Sequence, residues 1–553
     1  MTWPFHRDYK RGDLPMCQQI RSRLALIVLL VGILSGLAPL PAAVAQTPRY
    51  GGELVFVVGS EMPSYDGHRE ETFGLMHPIG PHYNTLLRVD PTDPTGTRII
   101  GDLAESWTVA KEGLTYTFKI RRGVKFHDGS PLTARDIKAS YDHIINPGPG
   151  GASPRKGQYA VVEAVEAADD QTVHFRLKHP SAGLLSSLAS PWNFIYKADI
   201  LAKDPRWYEK NIMGTGPFTF VEHVKGSHWV GKKFADYWDK GKPYLDSYRA
   251  IFIPNTGARV AAVRGERAMI EFRGFNPARR DDLLKAMGSK ITAQESAWDC
   301  MLFATPNHER KPFDDPRVRR ALTLAADRWE GSKYLSRITI LRDVGGVQVP
   351  GTPYATSESE LTRLAGFGKD IEASRKEARR LLREAGVPDG FSFVLTNRGL
   401  PEPYEPLAIW LIDQWRKIGL NATQRVLESA AWFGALRNGD FEVSIDGQCG
   451  YIVEPDLDLY KFLSTDRTDA SYGRYVDRAL DSLYDRQARS RDPEERKKLI
   501  REFEKRLFDE QAHTIPTLFW YRVVPHNARV RGWTVTPSHF LNTQLDMIWL
   551  APE

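Results

Sequence analysis

Just past the middle of a 553-residue chain, the run Trp298-Asp-Cys-Met-Leu-Phe-Ala-Thr305 is mostly apolar, rich in large side chains and of strand length. Such a run reads as a buried strand. A strong helix start follows it: Asp315 suits an N-cap, Pro316 suits the first turn, and Val318, Ala321 and Leu322 fall on one face. A buried strand feeding a helix points to an α/β protein. The flanks on either side are too long for one hydrophobic core, so two or three lobes are expected.

At the N-terminal end, Arg21 and Arg23 precede the apolar residues 24–38, and Ala43-Val-Ala45 forms a small-residue cleavage site. This pattern predicts a secretory signal peptide over residues 1–45, with Met16 as an alternative start. The apolar run is short for a bilayer span and ends in Pro39 and Pro41. The expected product is exported, to a periplasm. A net charge of +6 on so long a chain is mild, and no basic stripe stands out, which argues against a nucleic-acid binder. Of three cysteines, Cys17 leaves with the signal. Cys300 and Cys449 remain, an even number in an oxidising compartment; they form a disulfide or stay as two buried thiols.

Further signals fill in the flanks. Leu54-Val-Phe-Val-Val58 is strand-like, and residues 61–82 read as a long irregular segment of the kind that often carries function. Leu114, Tyr116, Phe118 and Ile120 alternate with Thr and Lys, the mark of a half-buried antiparallel strand. Thr133 caps a helix with Asp136 in its first turn. In the second half, residues 372–385 and 406–418 carry helical apolar spacing. Asp492-Pro-Glu-Glu495 opens another helix with Leu499, Phe503, Leu507 and Phe508 on one face.

Several blocks together carry a specific resemblance. They are Leu103-Ala-Glu-Ser-Trp107, Gly123-Val-Lys-Phe-His-Asp-Gly-Ser-Pro-Leu-Thr-Ala134, Gly214-Thr-Gly-Pro-Phe218 and Pro312-Phe-Asp-Asp-Pro-Arg-Val-Arg-Arg-Ala-Leu322. Arg379-Arg-Leu-Leu-Arg-Glu-Ala-Gly386, Ile418-Gly-Leu420 and Ile515-Pro516 continue the series. In this order, behind an export signal, the chain resembles the ABC-transporter solute-binding proteins of extracellular family 5, the dipeptide, oligopeptide, nickel and opine type. The resemblance implies an α/β, bilobal periplasmic-binding-protein fold (type II, cluster C-like) with an extra domain inserted in the N-terminal lobe. Lobe I would comprise residues 46–80, 201–298 and 520–553, the inserted domain 81–200, and lobe II 299–519. Two crossover strands, near 298–305 and 515–521, would join the lobes, which close on a ligand by hinge motion. The partners implied are a peptide or small solute and an ABC permease with its ATPase subunits, with the receptor a monomer.

Some relatives carry a Cys pair matching Cys300 and Cys449, which strengthens the disulfide expectation. In those relatives an Asp two residues after the second Cys pairs with the peptide amino terminus; here that position is Tyr451. A neutral phenol cannot replace a carboxylate opposite a buried ammonium, so Asp446 or Glu454 would have to stand in. Trp298 is the leading cleft-lining candidate, with a core role beneath the hinge as its alternative. Gln448, Tyr451, Phe73, Trp432, Trp520 and Tyr521 complete the candidate site. If they line the cleft, aromatic faces suit a peptide, an oligosaccharide, an opine or a metal complex. A catalytic reading, an exported hydrolase, has little support. His308-Glu309 lacks the second His of a zinc-protease helix, no nucleophile elbow or phosphate loop occurs, and the 14 His show no metal-ligand spacing. No cofactor or resident metal is expected.

Overall fold

Two long strands run through the molecule side by side. The computed structural model describes residues 47–552 apart from 149, 150, 152, 401 and 469, so the signal-peptide expectation for residues 1–45 lies outside the described residues. The first strand, Ile291–Pro306, extends well upstream of the apolar run that announced it. Its opening Ile-Thr-Ala-Gln-Glu-Ser-Ala is too polar to read as a buried strand, and the partner strand Ile515–Asn527, buried along its whole length, is what holds it. They pair antiparallel from Ile291 with Asn527 to Ala304 with Ile515, with irregularities on either side of Met301.

At one end the pair touches a first sheet through Ile270, which bridges both Phe56 and His526. That sheet orders Glu53–Val58, Ser247–Phe252, His228–Lys233 and Phe218–Val224, the first two parallel and the rest antiparallel. The Gly214-Thr-Gly-Pro-Phe218 turn packs directly on backbone: a Cβ at Gly214 or Gly216 would collide with the His82 carbonyl group. Only glycine permits that approach. At its other end the pair lies inside a six-stranded mixed sheet, ordered Leu341–Asp343, Ile515–Asn527, Ile291–Pro306, Val443–Cys449, Ser392–Arg398 and Asn421–Leu427. Apolar cores cover both faces of that sheet, one built on Leu302, Leu322, Leu411 and Trp415, the other on Phe303, Leu459, Phe503 and Phe508.

A separate antiparallel sheet orders Ala104–Val109, Thr115–Ile120, Thr172–Leu177 and Val162–Asp169, with the helix Ala134–Ile145 over its core. Tyr116, Phe118 and Ile120 are buried as their alternation requires, but Leu114 precedes the strand and is 37% exposed, contrary to expectation. The Asp136 carboxylate accepts from Thr133 N at 2.8 Å and from Thr133 Oγ1 at 3.0 Å, which ties the helix start together. Thr133→Ala is expected to cost about 1 kcal/mol, read as a lower urea midpoint at unchanged slope.

Elsewhere the helices start where the caps say. Asp315 accepts from Arg317 N ahead of Pro316–Ala325, and Asp492 from Glu494 N and Glu495 N ahead of Pro493–Lys505. The segment 61–82, expected to be irregular throughout, contains the helix Phe73–Ile79, capped by the Thr72 side chain. Pro78 hid it: a proline inside so short a helix reads as a breaker. Among the described residues no helix is long and apolar enough to cross a membrane.

Candidate functional site

Trp298 lies at the irregularity in the first long strand and gathers groups from three parts of the chain. Its ring meets Trp520 of the partner strand edge-on at 5.3 Å and His539 of the C-terminal segment at 5.4 Å. Phe73, the first residue of the early helix, stands 6.0 Å from His539. The Arg273 guanidinium sits 4.5 Å from the Phe73 ring and 5.7 Å from Trp298, and Arg522 lies 5.9 Å from Trp298 on the return strand. From the six-stranded side, Arg398 stands 5.8 Å from Trp432 and 6.0 Å from Tyr404. Arg398 acts on Arg273 as a like charge.

The electrostatics of this junction are one-sided. The acid beside Arg273, Glu271, is bound to Arg259 at 2.7 Å. Burial lowers the Arg273 pKa, with Glu271 opposing the shift and Arg259 and Arg398 adding to it. Arg522 is 2% exposed; burial, then Arg273, brings it down to about 9. Its two terminal nitrogens donate to the carbonyls of Phe272 and Thr536. His77, which donates from Nε2 to the His539 carbonyl at 2.9 Å, is pushed down to about 3, chiefly by burial. It is therefore neutral.

The sequence candidates distribute unevenly. Phe73, Trp298 and Trp520 belong to this junction, whereas Trp432 stands by Arg398 and donates from Nε1 to Ser444 Oγ at 3.3 Å. Tyr521 does not: its hydroxyl donates to the Ser336 carbonyl at 2.7 Å, and its ring lies under Arg342 at 4.1 Å. Alternation along the strand turns it away from its neighbour Trp520. Gln448 is half-buried and points its amide toward the Leu457 carbonyl. Cys300 and Cys449 are directly opposed on adjacent strands and are joined by a disulfide.

Tyr451 packs against both the first-sheet core and the core of the separate antiparallel sheet. Burial raises its phenol pKa, while Arg155 opposes the shift. The Arg155 guanidinium is held by the carbonyls of Gly67, His68 and Glu70. Where the resemblance expects a carboxylate, the chain thus has a phenol beside a buried cation. Neither proposed stand-in is free: Asp446 pairs with Lys461 at 3.0 Å, and Glu454 pairs with Arg496.

Sequence reasoning missed two groups. Arg273 stands in the apolar stretch Ile270-Glu-Phe-Arg-Gly-Phe275, where two charges in a strand-like run were the available signal. Asp299, between Trp298 and Cys300, faces Asp458 across Gly450. Asp299 Oδ2 and both Asp458 oxygens have no hydrogen-bond partner. Burial raises Asp299 to about 7, and burial followed by Asp299 and Glu454 raises Asp458 well above the usual carboxylate range.

Comparisons with known proteins agree with this architecture. The family profile of the bacterial extracellular solute-binding proteins, family 5 Middle, matches residues 98–470. The glutathione-binding protein GsiB of Salmonella choleraesuis (strain SC-B67) is 26% identical over 523 residues, covering 92% of this chain and 96% of the relative. The dipeptide-binding protein of Escherichia coli (strain K12) is 26% identical over 486 residues, covering 81% and 87%. Among solved structures, the ABC transporter-associated periplasmic binding protein DppA from Helicobacter pylori, in complex with peptide STSA, superposes with a TM-score of 0.74 at 26% identity. That alignment covers 91% of this chain and 99% of the other.

Proposed function

Because the chain belongs to the bacterial extracellular solute-binding proteins of family 5, the receptors of ABC importers, we propose that it captures a peptide or peptide-like solute at the Trp298 junction. The bound form then delivers that solute to a membrane permease. Lobe I would comprise residues 46–80, 201–298 and 520–553, lobe II 299–519, with 81–200 inserted. Export through a cleaved signal peptide would place the receptor, a monomer, in the periplasm. Its task is binding and release without covalent change.

The observation that carries this reading is the gathering around Trp298 of Trp520 and Arg522 from the return strand, His539 and Arg273, with Phe73 of the early helix joined through Arg273. Flat rings supply sequence-tolerant contact area, and fixed polar groups set orientation. Residues on two strands that link the lobes are well placed to sense whether the lobes are open or shut, since hinge closure is absorbed at such segments. A non-peptide solute is favoured as a second reading by Tyr451 and Arg155, which leave no carboxylate for a peptide ammonium at that position.

The test is a thermal-shift screen of the protein lacking residues 1–45 against di- to pentapeptides and glutathione. A ligand at a hundred times its Kd stabilises by about 2.7 kcal/mol, a rise of several degrees. Trp298→Ala should remove most of that rise. The ligand should be recovered intact, and turnover of any hit would move the protein to the hydrolase class. If no peptide raises the midpoint while an opine or sugar does, the peptide assignment fails and the receptor assignment stands.

A further inference from the structure

We propose that the junction holds a recess for a carboxylate, formed by Arg273, Arg522 and the Trp520 indole N–H around the Trp298 ring, so that the captured solute is anionic. The proposal deepens the receptor reading and rests on it. Three nitrogens carry it: Arg273 Nε, Arg522 Nε and Trp520 Nε1 are all buried and without a hydrogen-bond partner. Each is an obligate donor that can never accept. Their side chains all surround one ring, with Trp520 at 5.3 Å, Arg273 at 5.7 Å and Arg522 at 5.9 Å from Trp298.

Charge points the same way. The acid next to this group, Glu271, is committed to Arg259 at 2.7 Å, and Asp446 on the six-stranded side is committed to Lys461 at 3.0 Å. Arg398 acts on Arg273 as a further like charge. A water molecule would satisfy a stray N–H but would add nothing to Glu271, the one acid acting on both Arg273 and Arg522, and buried charge in excess is far costlier than a buried unpaired dipole. A carboxylate meets both needs, since it carries the opposite charge and accepts several hydrogen bonds. The Phe73 ring, 4.5 Å from the Arg273 guanidinium, favours a flat or aliphatic group next to the acid.

Calorimetric titration of the protein lacking residues 1–45 tests this with the matched tripeptides Ala-Glu-Ala, Ala-Gln-Ala and Ala-Lys-Ala, and with glutarate and inorganic phosphate. Ala-Glu-Ala should bind at least tenfold more tightly than Ala-Gln-Ala, and Ala-Lys-Ala more weakly still. Glutarate should bind and phosphate should not. In Arg273→Met the Glu-to-Gln preference should fall to near unity, whereas Arg273→Lys should keep part of it. If R273M does not fold, rising sodium chloride on the unaltered protein should weaken Ala-Glu-Ala and glutarate selectively. Equal affinity for the three tripeptides would overturn the recess while leaving the receptor reading intact. Phosphate binding more tightly than glutarate would overturn the carboxylate assignment, and so would silence from every anionic probe.

Discussion

Replacing both cysteines in the pair Cys300→Ser and Cys449→Ser should lower folding stability by up to about 5 kcal/mol, the largest loss expected from removing any one cross-link or contact here. The bond closes a loop of sequence separation 149, and chain-entropy accounting for a loop of that size gives this ceiling. The figure is an upper bound because the bonded strands also pair through backbone hydrogen bonds from Cys300 with Cys449 to Pro306 with Val443. Cys300 is buried, so its thiol stays covered after reduction and exposes little new apolar surface. Most of the loss should therefore come from the unfolded chain regaining freedom. Urea unfolding of the double variant, and of the unaltered protein with reductant, should give the same reduced midpoint. A difference below about 1 kcal/mol would mean that the unfolded chain keeps these two strands together without the bond. Binding at the Trp298 junction should also weaken, because the cross-link fixes the strand that carries Trp298 two residues away.

How much of the fold was legible in the sequence depends on how local each signal is. Helix starts at Asp315 and Asp492, and the strand Thr115–Ile120, are written in a handful of adjacent residues and came out where expected. The disulfide came out too, although its register, Cys300 directly opposite Cys449, is a property of sheet pairing across a long separation. The first long strand was found only in its apolar half, since the burial of its polar half depends on the return strand. Among the candidate side chains, Trp298 and Trp520 are large aromatics on paired strands, and the structure brings them together. Tyr521 stands apart from them, since a run of large residues says nothing about which face each one takes until the neighbouring strand is known. Arg273 and Asp299 were invisible for a related reason. Each is a charge inside an apolar run, and sequence alone does not distinguish a satisfied ion pair, such as Glu271 with Arg259, from a charge left open.

Asp299 and Asp458 make a second large effect measurable as a pH dependence. Each lies in the interior, Asp299 at 3% and Asp458 at 2% exposure, and at Asp458 the Gln348 side chain opposes the upward shift less strongly than burial and the neighbouring acids drive it. Gly450 lets them approach, since a Cβ there would collide with the Asp299 carboxylate. Burial is the first cause of the upward shift at both, and at Asp458 the neighbouring Asp299 charge is the second. A carboxyl raised in the folded state binds its proton more tightly there than in the unfolded chain, so unfolding releases a proton. Stability contributed this way is fully present below the ordinary carboxylate range and is lost as pH rises toward the folded value, about 7 for Asp299. Between pH 4 and pH 7 the loss should be on the order of 3 kcal/mol, shared by the pair and therefore assigned to neither alone. Asp458→Asn removes one of the two titrating groups while keeping the shape. It should leave stability near pH 4 almost unchanged, raise it by about 2 kcal/mol at pH 8, and flatten the slope between them. Urea midpoints at pH 4, 6 and 8 for the two proteins decide it, and parallel pH slopes would show that the two acids are ionised and hydrated in the fold.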